Sequence, residues 1–182
     1  PSAPKSEGAF VFFSAAFPAG TRASILVCKA RTLRHTFSRF MHTCEKIYTD
    51  IPIGHVQHRH PGHCSFVHGH NWSLTLTFAC EELDHLGFVI DFGGIKFISQ
   101  WISEHLDHAC LFAKSDAEGL KMLAAFPHLF KPYILDNCSA EGLATHLFDV
   151  FDALVRKESA NRARLKSIKV GEDSKNFAYF EK

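Results

Sequence analysis

The sequence predicts an α+β fold in which two long helices cover one face of an antiparallel four-stranded sheet. Apolar and polar residues alternate along 72–78, as they do in a half-buried strand. Apolar residues recur at helical spacing in two later stretches, 95–106 and 139–154. The elements follow the order strand, strand, helix, helix, strand, strand, and paired strands around paired helices are typical of an antiparallel sheet with helices on one side.

The first strand is expected from Thr43 to Ile53, with Ile47 and Ile51 on one face. The second strand begins at Trp72, and the β-branched threonines on its polar face suit a pleated surface. A loop rich in histidine, glycine and proline separates these two strands. We therefore expect the first two strands to lie side by side.

The middle of the chain is expected to be mainly helical. A short apolar strand or strand end is predicted at 87–92, before Gly93 and Gly94 break the pattern. The first long helix then covers 95–106. Residues 109–137 are expected to be less regular, with a short helix around 118–125 and proline-containing loops.

The second long helix is expected to begin after Ser139, which is a favourable N-cap residue. Glu141 falls in its first turn, where a carboxylate interacts favourably with the helix dipole. Two short extended segments, 165–170 and 177–180, follow this helix and complete the four-stranded sheet.

Length, charge and cysteine content limit the possible functions. The chain has 182 residues, of which 46% are hydrophobic, and this fits one globular domain. The net charge of +1 gives no general affinity for nucleic acid, and no apolar run reaches the roughly 20 residues of a membrane span. Six cysteines without a CxxC pair favour reduced thiols, so a soluble, cytoplasmic protein is expected.

Residues 1–40 are interpreted as an N-terminal extension outside the domain formed by residues 41–182. This extension has six Lys and Arg residues against one acid, a net of 6 − 1 = +5, and resembles a transit peptide or sequence upstream of a start at Met41. A tag remnant is an equal alternative. The apolar run from Ala9 to Phe17 could instead form an extra strand or a packing arm.

The loop between the first two strands is a candidate metal site. Six of the thirteen histidines lie between Gly54 and Trp72. His68 and His70 are separated by one glycine, so they project to the same face of an extended chain and could bind one metal ion. The third ligand is expected from four remaining histidines, of which the first is preferred because it ends a predicted strand: His55, His58, His60 or His63.

Cys64 has two interpretations. It could be the fourth ligand of a closed structural zinc site. It could also remain unligated beside the metal as a thiolate that serves as a base or nucleophile.

Three further residues or pairs are candidates with simpler alternatives. Asp107 and His108 place a carboxylate beside an imidazole, as in a general acid, although adjacent residues within a helix do not face each other. Glu172 could hold an amidine-like ligand edge through two hydrogen bonds, or be a solvated loop acid. Glu141 is most simply a helix-dipole acid.

Five segments in chain order carry a family resemblance: Cys64-Ser-Phe-Val-His68-Gly-His70-Asn-Trp72, Gly87-Phe-Val-Ile-Asp91-Phe, Leu106-Asp107-His108, Ser139-Ala-Glu141 and Glu172. Together they resemble the 6-pyruvoyl-tetrahydropterin synthase family over about residues 43–181. The spacing of three residues between the cysteine and His-Gly-His resembles that of the bacterial 6-carboxy-tetrahydropterin synthases of the queuosine pathway, whereas the animal pyruvoyl enzymes have a longer gap.

The resemblance implies a T-fold, in which strands of several subunits join into a barrel with active sites at subunit interfaces, usually in a hexamer. It implies zinc held by His55, His68 and His70, and a lyase that converts 7,8-dihydroneopterin triphosphate to 6-carboxy-5,6,7,8-tetrahydropterin with loss of triphosphate and acetaldehyde. It also implies that Cys64 is the base and that Asp107 and His108 form a proton relay. Glu172 and Glu141 would contact the substrate. A pyruvoyl product and a non-enzymatic metal-binding protein on the same fold are the alternatives.

The sequence departs from the family pattern in three places. The first metal ligand usually follows Phe-x-Ala-Ala, whereas Ile51-Pro-Ile-Gly precedes His55 here. The histidines at 58, 60 and 63 are additional, and so is the long segment 109–137. These additions are expected to reshape access to the site.

Overall fold

The computed structural model describes residues 41–182, and the predicted N-terminal extension lies outside the described residues. Within the described part, the chain forms a mixed sheet of six strands together with three α-helices. Short 3₁₀ turns occur at His63–Ser65 and Pro127–Leu129. In chain order the elements are β1 (His42–His55), β2 (His68–Cys80), α1 (Lys96–His105), β3 (Ala109–Ala113), α2 (Ala117–Ala125), β4 (Pro132–Leu135), α3 (Ala140–Glu158), β5 (Ala163–Gly171) and β6 (Phe177–Glu181).

The prediction of a four-stranded antiparallel sheet is wrong in the number of strands and in their directions. The strand order is β4-β3-β1-β2-β5-β6, in which the four predicted strands do form an antiparallel unit. The additional strands, β3 and β4, lie parallel to β1 and extend the sheet beyond it. Their sequences, Ala-Cys-Leu-Phe-Ala and Pro-Tyr-Ile-Leu, are too short to show a clear periodicity, and the segment 109–137 therefore appeared irregular.

The predicted strand at 87–92 is absent, because this segment forms turns instead. The carboxylate of Asp84 accepts hydrogen bonds from the backbone N–H groups of Leu86 and Phe88. The guanidinium of Arg162 donates to the carbonyls of Phe88 and Val89 at 3.2 and 2.9 Å. These side chains satisfy backbone groups that a neighbouring strand would otherwise bind.

A β-bulge divides β1 and reverses which residues face the core. Tyr48 pairs with Leu74 and Ile51 pairs with Trp72, so β1 contains one extra residue between them. Asp50, within the bulge, has φ 59°. The expectation that Ile47 and Ile51 share a face is therefore wrong, since the first is 59% exposed and the second only 4%.

The predicted helices are confirmed in position, but only α3 is long. This 19-residue helix begins after Ser139, whose hydroxyl accepts a hydrogen bond from the N–H of Gly142 at 3.1 Å, and it packs on β5 and β6. The first helix has 10 residues and buries Ile98 and Ile102. No helix among residues 41–182 is long and apolar enough to span a membrane.

Candidate metal centre and adjoining clefts

Three histidines from two paired strands meet at one end of the sheet. His55, the last residue of β1, is paired with His68, and Ile53 is paired with His70. Paired residues of neighbouring strands project to the same face, and after the bulge this is the face of Ile53 and Trp72, which are buried. The ring centroid of His55 lies 4.4 Å from that of His68 and 5.4 Å from that of His70.

Backbone carbonyls orient two of the three imidazoles. Nδ1 of His55 lies 2.9 Å from the carbonyl oxygen of Cys138, and Nδ1 of His68 lies 2.7 Å from that of Phe66. A carbonyl only accepts, so Nδ1 carries the proton in both rings and Nε2 has a free lone pair. This arrangement is typical of histidines that bind a metal through Nε2.

The Nε2 atoms of His55 and His70 are buried and have no hydrogen-bond partner among the described residues. Oε1 of Glu172 lies 3.2 Å from the first and 3.7 Å from the second, but neither contact has hydrogen-bond geometry. One potential ligand atom from each of four side chains lies within 4.8 Å of the others, and we call these four residues the metal group: His55, His68, His70 and Glu172. Buried polar atoms without partners are costly, and three imidazoles with a carboxylate suit a divalent metal such as zinc.

Burial supports the neutral form of His55 that metal binding requires. The residue is 1% exposed, and desolvation lowers its pKa even though its hydrogen bond to Cys138 acts in the opposite direction. The edge of Trp72, which is fully buried, packs against the His55 ring at a centroid distance of 5.1 Å. The residues at the metal site are thus fit to hold a cation.

A cleft with a volume of about 720 Å³ adjoins the histidine-rich loop, and we call it the main cleft. It brings together three of the predicted site residues, Cys64, Glu141 and Glu172. Arg59 and Lys175 also line it. Glu172 belongs both to this cleft and to the metal group, a double position that sequence reasoning missed. Strand pairing explains the position of Glu172. Gly171 is paired with Ser73, and because successive residues alternate between the two faces of a sheet, Glu172 is on the same face as His70.

Asp107 and His108 lie elsewhere, and we call their surroundings the second cleft. The cleft has a volume of about 450 Å³ and is lined by His108, His70 and Gly69 among others. Nδ1 of His108 lies 2.8 Å from Oδ1 of Asp107, although the two residues are consecutive. The contact is possible because α1 has ended and His108 has φ 58°. Within one chain, Cys64 and His108 therefore line different clefts.

The additional histidines of the loop do not join the metal group. Nε2 of His58 lies 3.3 Å from the hydroxyl of Ser115, and Nδ1 of His60 accepts a hydrogen bond from the N–H of Gly62. His63 begins a 3₁₀ turn. Of the candidates for a third ligand, the structure brings His55 to His68 and His70.

Comparison with known proteins adds the family. The family described as 6-pyruvoyl tetrahydropterin synthase matches residues 45–182. The chain belongs to the 6-pyruvoyl tetrahydropterin synthase family. The family resemblance inferred from the sequence motifs is thereby confirmed.

Relatives of the chain within this family include two from Rickettsia. The 6-carboxy-5,6,7,8-tetrahydropterin synthase of Rickettsia typhi is 36% identical over 99 residues, which cover 54% of this chain and 72% of the relative. The protein of the same name from Rickettsia conorii is 37% identical over the same shares of the two chains. The matched region is consistent with common ancestry of the domain.

Solved structures support the fold of the family. An uncharacterized protein from Wolinella succinogenes has a TM-score of 0.68 at 16% identity, over 78% of this chain and 98% of that chain. The 6-pyruvoyl tetrahydropterin synthase of Caenorhabditis elegans has a TM-score of 0.55 at 18% identity, over 78% and 96% of the two chains. At these identities the likeness concerns the fold alone.

Proposed function

We propose that the protein is a zinc-dependent lyase that converts 7,8-dihydroneopterin triphosphate to 6-carboxy-5,6,7,8-tetrahydropterin, with loss of triphosphate and acetaldehyde, in queuosine biosynthesis. The observation that carries the proposal is the group of convergent, unpartnered imidazole nitrogens beside a cleft that holds a thiol and a carboxylate. The name shared by the curated relatives supports the carboxy product.

His55, His68 and His70 would hold the zinc ion through Nε2. Three protein ligands leave a position free for substrate, as in catalytic zinc sites. When bound there, zinc would supply Lewis-acid polarisation of a substrate oxygen. The carbonyl of Cys138 fixes the His55 ring, which keeps the first ligand in place.

Cys64 and Glu172 have complementary roles in the proposed reaction. The thiolate of Cys64 would remove a proton from the substrate carbon next to a polarised oxygen, after which the triphosphate group can leave. The carboxylate of Glu172 would accept two hydrogen bonds from the N–H groups of the pterin ring edge. Both side chains line the main cleft, together with Glu141 at the start of α3.

The triphosphate group would lie toward Arg59 and Lys175 in the main cleft. Both side chains are exposed, and neither forms an ion pair with any residue between 41 and 182. Cations without an acidic partner favour a polyanionic ligand. An Arg guanidinium can bind phosphate oxygens through two parallel hydrogen bonds.

The proposal requires more than one subunit. Asp107 and His108 would relay protons, but in a single chain they do not line the cleft of Cys64. A homo-oligomer with active sites at subunit interfaces, a hexamer by family resemblance, would allow His108 of one chain to serve Cys64 of another.

The central experiment combines metal analysis with product identification. Purified protein is analysed for metals and incubated with 7,8-dihydroneopterin triphosphate, and the products are identified by mass spectrometry. We expect one zinc per chain and the carboxy product, whereas Cys64→Ala should keep the zinc and lose turnover. Zinc at one per chain without any pterin product would contradict the lyase. A pyruvoyl product would show that the protein is the pyruvoyl-forming synthase. Several metal ions per chain without turnover would indicate a non-enzymatic metal-binding protein.

The proposal of shared sites has its own test. Cys64→Ala and His108→Ala are each expected to be inactive as pure oligomers. When the two variants are unfolded together and refolded as mixed oligomers, activity should return, because some sites then combine an intact Cys64 with an intact His108. Mixed oligomers that stay as inactive as their parents would contradict an interface site.

A further inference from the structure

Lys131 connects the end of α1 to the parallel strands. Its ammonium group donates hydrogen bonds to the carbonyl oxygen of Ser103 at 2.9 Å and to that of Asp107 at 2.7 Å. Its own backbone carbonyl accepts from the N–H of Cys110 at 2.8 Å. The last carbonyls of a helix lack partners within the helix and form its negative end, so a cation there is favourable.

Three backbone polar groups of Asp107 and His108 are held by hydrogen bonds. The N–H of Asp107 donates to the carbonyl of Ile102 at 3.0 Å, and the N–H of His108 donates to that of Pro52 at 2.9 Å. The remaining contact, at the carbonyl of Asp107, comes from the side chain of Lys131. A side chain thus fixes the peptide that joins the carboxylate to the imidazole.

This peptide needs such support because His108 is in the left-handed region, at φ 58°. That conformation is unfavourable for a residue with a side chain, and it persists only where the surroundings hold it. It is also the conformation that lets Nδ1 of His108 reach Oδ1 of Asp107. Loss of the Lys131 contact would release this peptide and loosen the pair.

We infer that Lys131 is a positioning residue for the Asp107–His108 pair, and that it acts by clamping the carbonyl of Asp107 at the end of α1. The inference rests on the proposed function insofar as the pair serves in proton transfer. The clamp itself is independent of any substrate. Lys131 need not touch the substrate in this role.

Lys131→Met removes the ammonium group and keeps most of the aliphatic chain, whereas Lys131→Arg keeps a donor that can reach two carbonyls. Lys114→Met is a matched control, because Lys114 is an exposed lysine whose ammonium group pairs with the carboxylate of Asp136. We expect Lys131→Met to lower kcat by about tenfold or more with little change in KM, since small errors in the position of reacting groups are costly. Lys131→Arg should restore most of kcat, and Lys114→Met should match the wild type.

A second measurement does not depend on turnover. Hydrogen exchange followed by mass spectrometry should show faster exchange in peptides covering 103–109 for Lys131→Met, with the rest of the domain unchanged. If the wild type is active and Lys131→Met has the same kcat, the role of Lys131 is overturned. The same holds if the exchange rate of this segment is equal in the two proteins. The role of Lys131 is also overturned if Lys131→Met loses kcat, exchanges faster throughout the domain and Lys131→Arg does not restore kcat. That result would show a general effect on stability. No turnover in the wild type would contradict the proposed function, while the exchange result would still decide whether the clamp exists.

Discussion

The position of His55 depends on residues that are distant in the sequence. The sequence offered four histidines as the third ligand beside His68 and His70, of which His55 was preferred. Strand pairing and the carbonyl of Cys138 bring His55 to the metal group, whereas His58 contacts Ser115 instead. Local spacing could not identify Cys138 or Ser115 as partners, because each is more than 50 residues from the histidine that it contacts.

The metal ligands can be tested by a pair of histidine variants. His55→Ala should empty the site, with a loss of zinc affinity greater than the roughly 10- to 100-fold that loss of a supporting hydrogen bond causes, because a direct ligand is removed. His58→Ala should leave zinc content at the wild-type level. The measurement is zinc per chain by elemental analysis, together with competition against a fluorescent chelator. Zinc retained in His55→Ala and lost in His58→Ala would contradict the assignment.

At the scale of single elements, the bulge in β1 is the feature that places the site. The sequence indicated a strand at 43–53 in which the residues alternate between the two faces without interruption. The extra residue at the bulge turns Ile51, Ile53 and His55 toward the core, while Ile47 stays exposed. A bulge has no strong sequence signal when its left-handed position is Asp50 rather than glycine.

Substitutions at Asp50 should reveal the importance of the bulge. Asp50→Val should lower the free energy of unfolding by about 1–2 kcal/mol, because a β-branched residue is strongly disfavoured at φ 59°. Asp50→Gly should be close to the wild type, since glycine adopts this conformation freely. Urea denaturation measures both. Equal stability of the valine and glycine variants would contradict a strained left-handed residue at this position.

At the scale of the whole molecule, α3 and the added strand β4 are joined by a half-buried polar contact. Nε2 of His146 lies 2.7 Å from the hydroxyl of Tyr133. Burial lowers the pKa of His146, while Asp136 and Asp149 act in the opposite direction and Lys114 adds to the lowering. Burial of His146 between α3 and β4 therefore favours the neutral imidazole, and the stability of the fold in acid depends on this titrating group.

The sign of the pH dependence follows from the lowered pKa. The unfolded chain binds a proton at His146 near pH 6.5, before the folded protein does, so the free energy of unfolding falls as the pH falls below about 6.5. In His146→Gln this loss should be smaller than in the wild type, when urea denaturation is compared at about pH 7.5 and about pH 5.5. Tyr133→Phe is the control, because it removes the same hydrogen bond and keeps the titrating group. An unchanged loss in His146→Gln would contradict the interpretation.

The sequence by itself determined the α+β class, the positions of α1 and α3, the four strands of the antiparallel unit and the family. These features depend on periodicity and short motifs that lie within about ten or twenty neighbouring residues. The tertiary structure decided the rest: the parallel strands β3 and β4, the face on which His55 lies, the place of Glu172 beside the imidazoles, and the separation of Cys64 from His108. Each of these depends on pairing between distant segments, and strand register is set by contacts that no local pattern contains.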